Sequence, residues 1–155
     1  MRCLPLLCLL GTLVAWQAHA AFFGLFGDAV EEVTARDGVI ALDASAMVKM
    51  TARHYRYREG GQTVKFFVVR DGKGTVRAAI DACEVCWREG KGYALKDGAM
   101  LCVNCGRSFP MHRIGLAAGG CNPHPFEFKV ENDAVTIAAQ ELLLQGTRYF
   151  PGNTR

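Results

Sequence analysis

The sequence has no apolar run long enough to span a membrane as a helix, which takes roughly 20 residues. The longest run, at residues 4–16, follows a single basic residue, Arg2, and precedes the small residues Ala18 and Ala20. This order is typical of a secretory signal, and no twin arginine marks it for the export of a folded protein. We therefore predict a signal peptide at residues 1–20 and a periplasmic or secreted protein, with an uncleaved membrane anchor as the alternative.

Charge of one sign is also scarce. The chain has 18 lysines and arginines against 15 aspartates and glutamates, a net charge of +3, and the two signs are mixed along the sequence. Without a basic stripe there is no electrostatic footprint for nucleic acid. No Ser-His-Asp set, carboxylate pair or phosphate-binding glycine loop stands out either. The sequence therefore predicts neither an enzyme nor a small-molecule substrate.

Strand-like segments make up most of the chain after a short N-terminal arm at residues 21–36. ARHYRYR and TVKFFVVR, separated by EGG, predict a hairpin, and TVRAAID predicts a third strand. FEFKVENDAVTIAA predicts a second hairpin with its turn at END. A weak echo between the two ends of the domain suggests that the final RYF is also a strand. We predict one mostly β domain at residues 37–151, built as a small β-sandwich or barrel.

Two pairs of cysteines interrupt this pattern in a glycine-rich stretch, residues 83–125, which we expect to form loops. Their spacing is Cys83-x2-Cys86-x15-Cys102-x2-Cys105. Two residues between cysteines form a tight turn, or knuckle, that aims both sulfurs at one point, so two knuckles provide the four thiolates of a tetrahedral metal site. Gly106 follows the second knuckle, where such a turn needs a residue that tolerates positive φ. We predict that the four cysteines bind a metal.

Two disulfides are the alternative, because an oxidising compartment joins exposed thiols. A bond between Cys83 and Cys86 would close a small, strained ring, and bonds between the knuckles would leave Cys121 unpaired. The residues alone leave zinc, a single iron and an iron–sulfur cluster open as the metal.

The region from the second knuckle onward resembles the second half of a Rieske domain. The resemblance rests on LCVNCGRSF, then GGCNPHPFEFKVENDAVTI, which has the order of a cluster loop, a Gly-Pro-rich cover loop and a closing hairpin. Each Rieske cluster loop offers one cysteine and one histidine. Cys86 and Cys105 stand at or near the histidine places, so the resemblance implies a Rieske-like two-knuckle insert whose iron is held by thiolates only.

A longer resemblance covers most of the chain after residue 20. HYRY, VKFFVVRDGKGTVRAAIDACEVCW, KGY, MLCVNCGRSFP, RIG, GGCNP and RYF, in this order, resemble the bacterial FtrD-like family of iron–sulfur proteins associated with ferrous iron transport. The resemblance implies an iron–sulfur cluster, electron transfer, and a membrane iron-transport or redox protein as partner. A zinc-stapled binding module and a metal-delivery protein remain the alternative functions.

Further residues are candidates for the metal centre or for a second site. Cys121 occupies the place of the Rieske cover loop, so we expect it near the metal, and Trp87 and Tyr93 are expected to shield the metal from water. His112 and His124 lie close enough in sequence to be additional ligands, although solvated loop histidines are the alternative. A weaker second site for copper or ferrous iron combines Met47, Met50 and His54, because thioether and imidazole groups suit these ions. The alternative is that the two methionines pack in the core next to a surface histidine.

Overall fold

The computed structural model describes residues 29–152, so the predicted signal peptide and residues 21–28 of the arm lie outside the described residues. In chain order the strands are β1 (Val30–Val33), β2 (Val39–Asp43), β3 (Thr51–Glu59), β4 (Gln62–Arg70), β5 (Val76–Ile80), β6 (Tyr93–Lys96), β7 (Ala99–Cys102), β8 (Ser108–Pro110), β9 (Lys129–Glu131) and β10 (Ala134–Ala138). A helix, α1 (Ala139–Gly146), follows β10, and short 3₁₀ turns lie at Trp87–Glu89, Met111–Arg113 and Thr147–Tyr149. The predicted mostly β class is confirmed.

Sheet A contains the predicted hairpin and has the strand order β1-β3-β4-β5. Strands β3 and β4 are antiparallel around Gly60 and Gly61, whose φ values are 57° and 78°. Positive φ at both turn residues gives the tight hairpin a twist that matches its strands, and glycine adopts it without strain. The predicted third strand is β5, which pairs antiparallel with β4, and β1 pairs parallel with β3 at the edge of the sheet.

Sheet B confirms the second predicted hairpin. Strands β9 and β10 are antiparallel, and the residues between them, Asn132 and Asp133, both have positive φ. Asn and Asp tolerate that conformation better than most residues, because their short polar side chains bond locally. Strand β2 pairs with the other edge of β10, so the two segments that echo each other in sequence are neighbours in one sheet, of order β2-β10-β9.

Strand β4 is buried on both faces and separates two cores. Val64, Phe66 and Val68 belong to a core formed with sheet B and α1, whereas Phe67 and Val69 belong to a second core formed with the cysteine-bearing region. A strand covered on both sides needs apolar residues at successive positions, which explains the unbroken run of FFVV. Sheet A is therefore the middle layer of a stack of open sheets, and the structure is not a closed barrel.

Residues 83–125 are more ordered than the sequence predicts, because they contain a third sheet. Sheet C has the order β6-β7-β8, and all of its pairs are antiparallel. Its strands have only three or four residues each. Segments that short show no recognisable alternation of apolar and polar residues, so sequence periodicity cannot reveal them.

The end of the domain differs from the prediction, because the final RYF is not a strand. Helix α1 runs from Ala139 to Gly146, and the segment Thr147–Tyr149 is a 3₁₀ turn. The end of α1 packs closely against Val64 of β4. Gly146 permits this contact, since a Cβ there would lie 2.5 Å from Cγ1 of Val64. The weak echo misled the prediction because the first copy continues into a strand and the second into a helix. No helix within residues 29–152 is long and apolar enough to cross a membrane.

Two leucines of α1 allow a matched test of this packing. Leu142 is fully buried in the first core, and Leu144 is 73% exposed. We expect Leu142→Ala to lower the free energy of unfolding by about 2–5 kcal/mol, because it removes buried methyl groups and leaves a cavity. Leu144→Ala should change the free energy of unfolding by less than about 0.5 kcal/mol. Urea unfolding followed by circular dichroism measures both, and equal losses would contradict this placement of the helix.

Candidate metal centre

Three loops bring the cysteines together at one end of sheet A. Strand β5 ends at Ile80 and leads directly to Cys83, the first residue of the first knuckle, and β7 ends with Cys102, the first residue of the second. Cys121 comes from the third loop, which follows β8. All five cysteines of the described residues are free thiols, so the disulfide alternative is not what the structure shows.

The five sulfurs form two groups of three. The Sγ atoms of Cys83, Cys86 and Cys102 all lie within 4.8 Å of one another, and so do those of Cys86, Cys105 and Cys121. We call these the inner and the outer triplet, and Cys86 belongs to both. Three of the four predicted ligands form the inner triplet, and the fourth, Cys105, lies within 4.8 Å of Cys86. The Sγ atoms of Cys105 and Cys121 are 3.6 Å apart. Cys121, which we expect near the metal, thus lies beside Cys105, one of the predicted ligands.

The two triplets differ in their exposure to solvent. The side chains of Cys83 and Cys102 are 1% and 2% exposed, and Cys86 is 8% exposed. These three belong to the second core, where Phe67 and Met100 pack against them. In the outer triplet Cys105 is exposed and Cys121 is half-buried. The centre therefore extends from the protein core to the surface.

Local backbone geometry aims the sulfurs of both knuckles. The backbone N–H of Cys86 donates to Sγ of Cys83 at 3.2 Å, and the N–H of Trp87 donates to the Cys83 carbonyl. In the second knuckle the N–H of Gly106 donates to the Cys102 carbonyl at 2.9 Å, and Gly106 has a φ of 73°, as predicted. N–H groups that point at sulfur stabilise its negative charge, which is needed for metal binding.

Asp81 and Tyr93 join the three loops to one another. The Asp81 carboxylate accepts a hydrogen bond from the backbone N–H of Tyr93 at 2.7 Å. The Tyr93 hydroxyl donates to the carbonyl of Cys121 at 2.6 Å, and Tyr93 is only 4% exposed. Asp81 is not among the residues predicted from the sequence. The signal that it offered was a carboxylate directly at the end of an apolar strand and two positions before a cysteine.

The third loop is fixed by backbone pairing to the first. The backbone carbonyl of His124 accepts a hydrogen bond from the N–H of Ile80 at 2.8 Å. The backbone N–H of His124 donates to the carbonyl of Ala82 at 3.0 Å. This pairing holds the loop beside the segment that leads to Cys83. The His124 ring itself packs against Tyr149, with 5.2 Å between the ring centroids, and burial lowers its pKa. His124 therefore positions the loop through its backbone.

The acidities of the thiols differ across the centre. The backbone N–H of Arg107 lowers the pKa of Cys105 to about 7. Burial raises the pKa of Cys102 to about 11 and that of Cys121 to about 12. Thiols that are buried so close together resist becoming thiolates unless a cation compensates their charge. Metal binding supplies that compensation and releases the protons.

The remaining predicted residues lie outside the triplets. His112 is exposed on the 3₁₀ turn Met111–Arg113. Met47 is buried in the first core, whereas Met50 is 43% exposed beside Gly98. His54 packs on Phe67, and its Nδ1 lies 3.5 Å from the Asp81 carboxylate. Among residues 29–152, both groups that bring metal-binding side chains together consist of cysteines alone.

These features define a class: a small β domain with a thiol-rich metal centre formed by two knuckles and a cover loop. Residues 47–150 match the family described as membrane iron-sulfur containing protein FtrD-like. The match spans most of the chain, so the protein belongs to this family, as the resemblance implied. The comparison with curated proteins gives no match, and neither does the comparison with solved structures.

The residues present fit the iron–sulfur group that the family description names. Protein-bound clusters are held by cysteine thiolates, and hydrogen bonds to sulfur and exclusion of solvent tune them. The centre provides five free thiols, a backbone N–H directed at Sγ of Cys83, and a buried inner triplet. The same donor set also suits zinc, which is bound by thiolates in a tetrahedron.

Gly92 and Gly90 provide a matched test of how the loops are joined. Both have positive φ, 64° and 65°, but a Cβ at Gly92 would lie 2.6 Å from both carboxylate oxygens of Asp81, whereas a Cβ at Gly90 would meet nothing within 4 Å. We expect Gly92→Ala to displace the Asp81 carboxylate from Tyr93 and to reduce the bound metal per chain. Gly90→Ala should cost about 1 kcal/mol for the strained φ and keep the metal.

Metal analysis of the two purified variants, together with their urea unfolding curves, measures the difference. Equal metal content in Gly92→Ala and Gly90→Ala would show that the contact between Asp81 and Tyr93 is not needed to assemble the centre.

Proposed function

We propose that the protein holds an iron–sulfur centre with its cysteine loops and transfers electrons in a membrane iron-transport or redox system. The observation that carries the proposal is the convergence of five free thiols from three loops, in a chain of the FtrD-like family. When bound, the cluster supplies a one-electron redox couple. The role needs no catalytic residue, and we propose that the protein is not an enzyme.

The chain's own residues keep water from the inner triplet. Tyr93 packs edge-on against Phe109 and tilted against Phe67, so aromatic rings cover Cys83 and Cys102 on the side of the second core. Trp87 follows the first knuckle and packs against Tyr149. A site that is shielded in this way has a low local dielectric, which strengthens the influence of nearby hydrogen bonds and charges on the bound group.

The outer triplet is open to a partner. Cys105 is exposed, and the knuckles carry exposed apolar side chains next to their cysteines: Val85 is 65% exposed and Val103 is 46% exposed. Arg88 and Arg107, also exposed, flank the knuckles. An apolar centre with charged residues around it is typical of surfaces that meet another protein briefly. We propose that the membrane redox or iron-transport partner approaches here.

The arrangement supports a Rieske-like plan with thiolates at the histidine places. Two knuckle loops and one cover loop surround the centre, and a small separate sheet carries the second knuckle. Rieske histidines raise the reduction potential relative to a cluster held by cysteines only. The two triplets contain no histidine. We therefore propose a lower reduction potential than that of a Rieske centre. From the predicted signal peptide we propose a location on the periplasmic side of the membrane.

A zinc-stapled binding module is the second candidate. The backbone N–H directed at Sγ of Cys83 and the all-cysteine ligand set favour it, because structural zinc sites are also held by cysteine thiolates. In that case the metal would only hold the loops in place, and the exposed surface would do the binding.

Metal and sulfide analysis of protein purified without oxygen separates the two candidates. We expect bound iron with acid-labile sulfide, a brown colour that reductant bleaches, and a one-electron wave in a potentiometric titration. Colourless protein containing only zinc would rule out electron transfer.

A variant pair on the second knuckle shows whether the metal is held by the predicted thiols. Cys102→Ser removes a buried ligand of the inner triplet and should lose most of the iron, whereas Val103→Ser changes an exposed neighbour and should retain it. Iron per chain in the two proteins is the measurement. Full iron in Cys102→Ser would contradict the assignment of this cysteine.

A further inference from the structure

The sharing of Cys86 between two triplets is the feature that a single four-cysteine site does not explain. Within residues 29–152 the close sulfurs form two groups of three, and no group of four has all of its members within 4.8 Å. A tetrahedral metal with thiolate bonds of about 2.3 Å keeps every pair of its sulfurs roughly 3.8 Å apart. Cys105 is not within 4.8 Å of all three inner sulfurs, but it lies within 4.8 Å of Cys86 and 3.6 Å from Cys121.

We propose that the centre holds two metal ions, one in each triplet, and that the thiolate of Cys86 bridges them. The inference rests on the proposed function, because it describes the proposed iron–sulfur centre as one that holds two metal ions. It also assigns Cys121 as a ligand. Each triplet provides three sulfurs to its own ion. A thiolate has more than one lone pair, so one sulfur can bind two cations at once.

The number of thiols fits two ions that share ligands. Two tetrahedra with a common edge have four terminal positions and two bridging positions. Cys83 and Cys102 would fill the terminal positions of the inner ion, and Cys105 and Cys121 those of the outer ion. Cys86 would be one of the two bridges. The second bridge is then a small ligand that the chain does not provide, and inorganic sulfide is the one that an iron–sulfur protein offers.

The burial of the sulfurs favours a cation beside each triplet. The inner thiols are nearly inaccessible to solvent, and isolated negative charges in such a place are costly. An ion beside each triplet places positive charge next to every one of the five sulfurs, whereas a single ion in the inner triplet leaves Cys105 and Cys121 without a cation of their own. A disulfide between Cys105 and Cys121 is the competing outcome for the outer pair, because their sulfurs are already close.

Native mass spectrometry of the full chain, purified without oxygen, counts the ions directly. We expect two metal ions per chain in the unaltered protein and one in Cys121→Ser, which keeps the inner triplet complete. One ion in the unaltered protein together with a mass lower by two hydrogens would indicate the disulfide and overturn the proposal. Four irons per chain would also overturn it, but would leave the proposed electron transfer standing.

Cobalt(II) added to the metal-free, reduced full chain tests the bridge itself. Binding should saturate at two equivalents, and the electron paramagnetic resonance signal should grow with the first equivalent and fall with the second, because ions that share a thiolate couple magnetically. Two equivalents without coupling, or saturation at one, would overturn the bridging role of Cys86.

The cobalt experiment on variants separates ligand loss from misfolding. Cys86→Ser should lose the coupling, whereas Val85→Ser, at an exposed position of the same knuckle, should keep it. Far-ultraviolet circular dichroism checks that each variant is folded, and Cys121→Ser provides the comparison with one ion if Cys86→Ser does not fold. Two coupled cobalt ions in a protein that carries only zinc when purified would support the two-metal site and refute the iron–sulfur function.

Discussion

The hydrogen bond between the Asp81 carboxylate and the backbone N–H of Tyr93 connects the metal-binding region to the rest of the molecule. Asp81 stands at the end of β5, in the middle layer, and Tyr93 begins sheet C. The Tyr93 hydroxyl then reaches the cover loop at Cys121. One carboxylate and one tyrosine thus fix the relative positions of all three cysteine loops, and Gly92 is needed between them because any larger residue would collide with the carboxylate.

The second core is built around the cysteines of the centre. Phe67 and Met100 are fully buried there, but three of its members are cysteines whose thiols face one another. Apolar packing alone leaves such thiols without a strong interaction, whereas a bound metal gains its ligands and supplies the missing interaction at once. If the cysteines bind a metal as proposed, metal binding and the folding of this half of the molecule are coupled, as in small metal-binding domains generally. The first core, formed by sheet B, α1 and the other face of β4, contains no cysteine.

The sequence revealed the parts of the fold that depend on local signals. Both hairpins could be predicted because their turns carry Gly60–Gly61 and Asn132–Asp133, whose positive φ values suit those residue types. Sheet C and the parallel pairing of β1 could not be predicted, because very short strands have no readable period and pairing across the chain depends on packing. The knuckles were readable from their spacing. The division of the sulfurs into two triplets was not, because it depends on how the third loop pairs with Ile80 and Ala82.

The gradient of exposure across the centre has a consequence for how it works. The inner triplet lies in a core that is nearly inaccessible to solvent, whereas Cys105 is exposed at the surface. A metal held by the outer triplet, as proposed, would be the part of the centre that a redox partner could approach closely. The same position leaves that metal open to oxygen and to competing thiols, since accessibility controls both kinds of reaction. Cover by the proposed membrane partner would reduce this exposure.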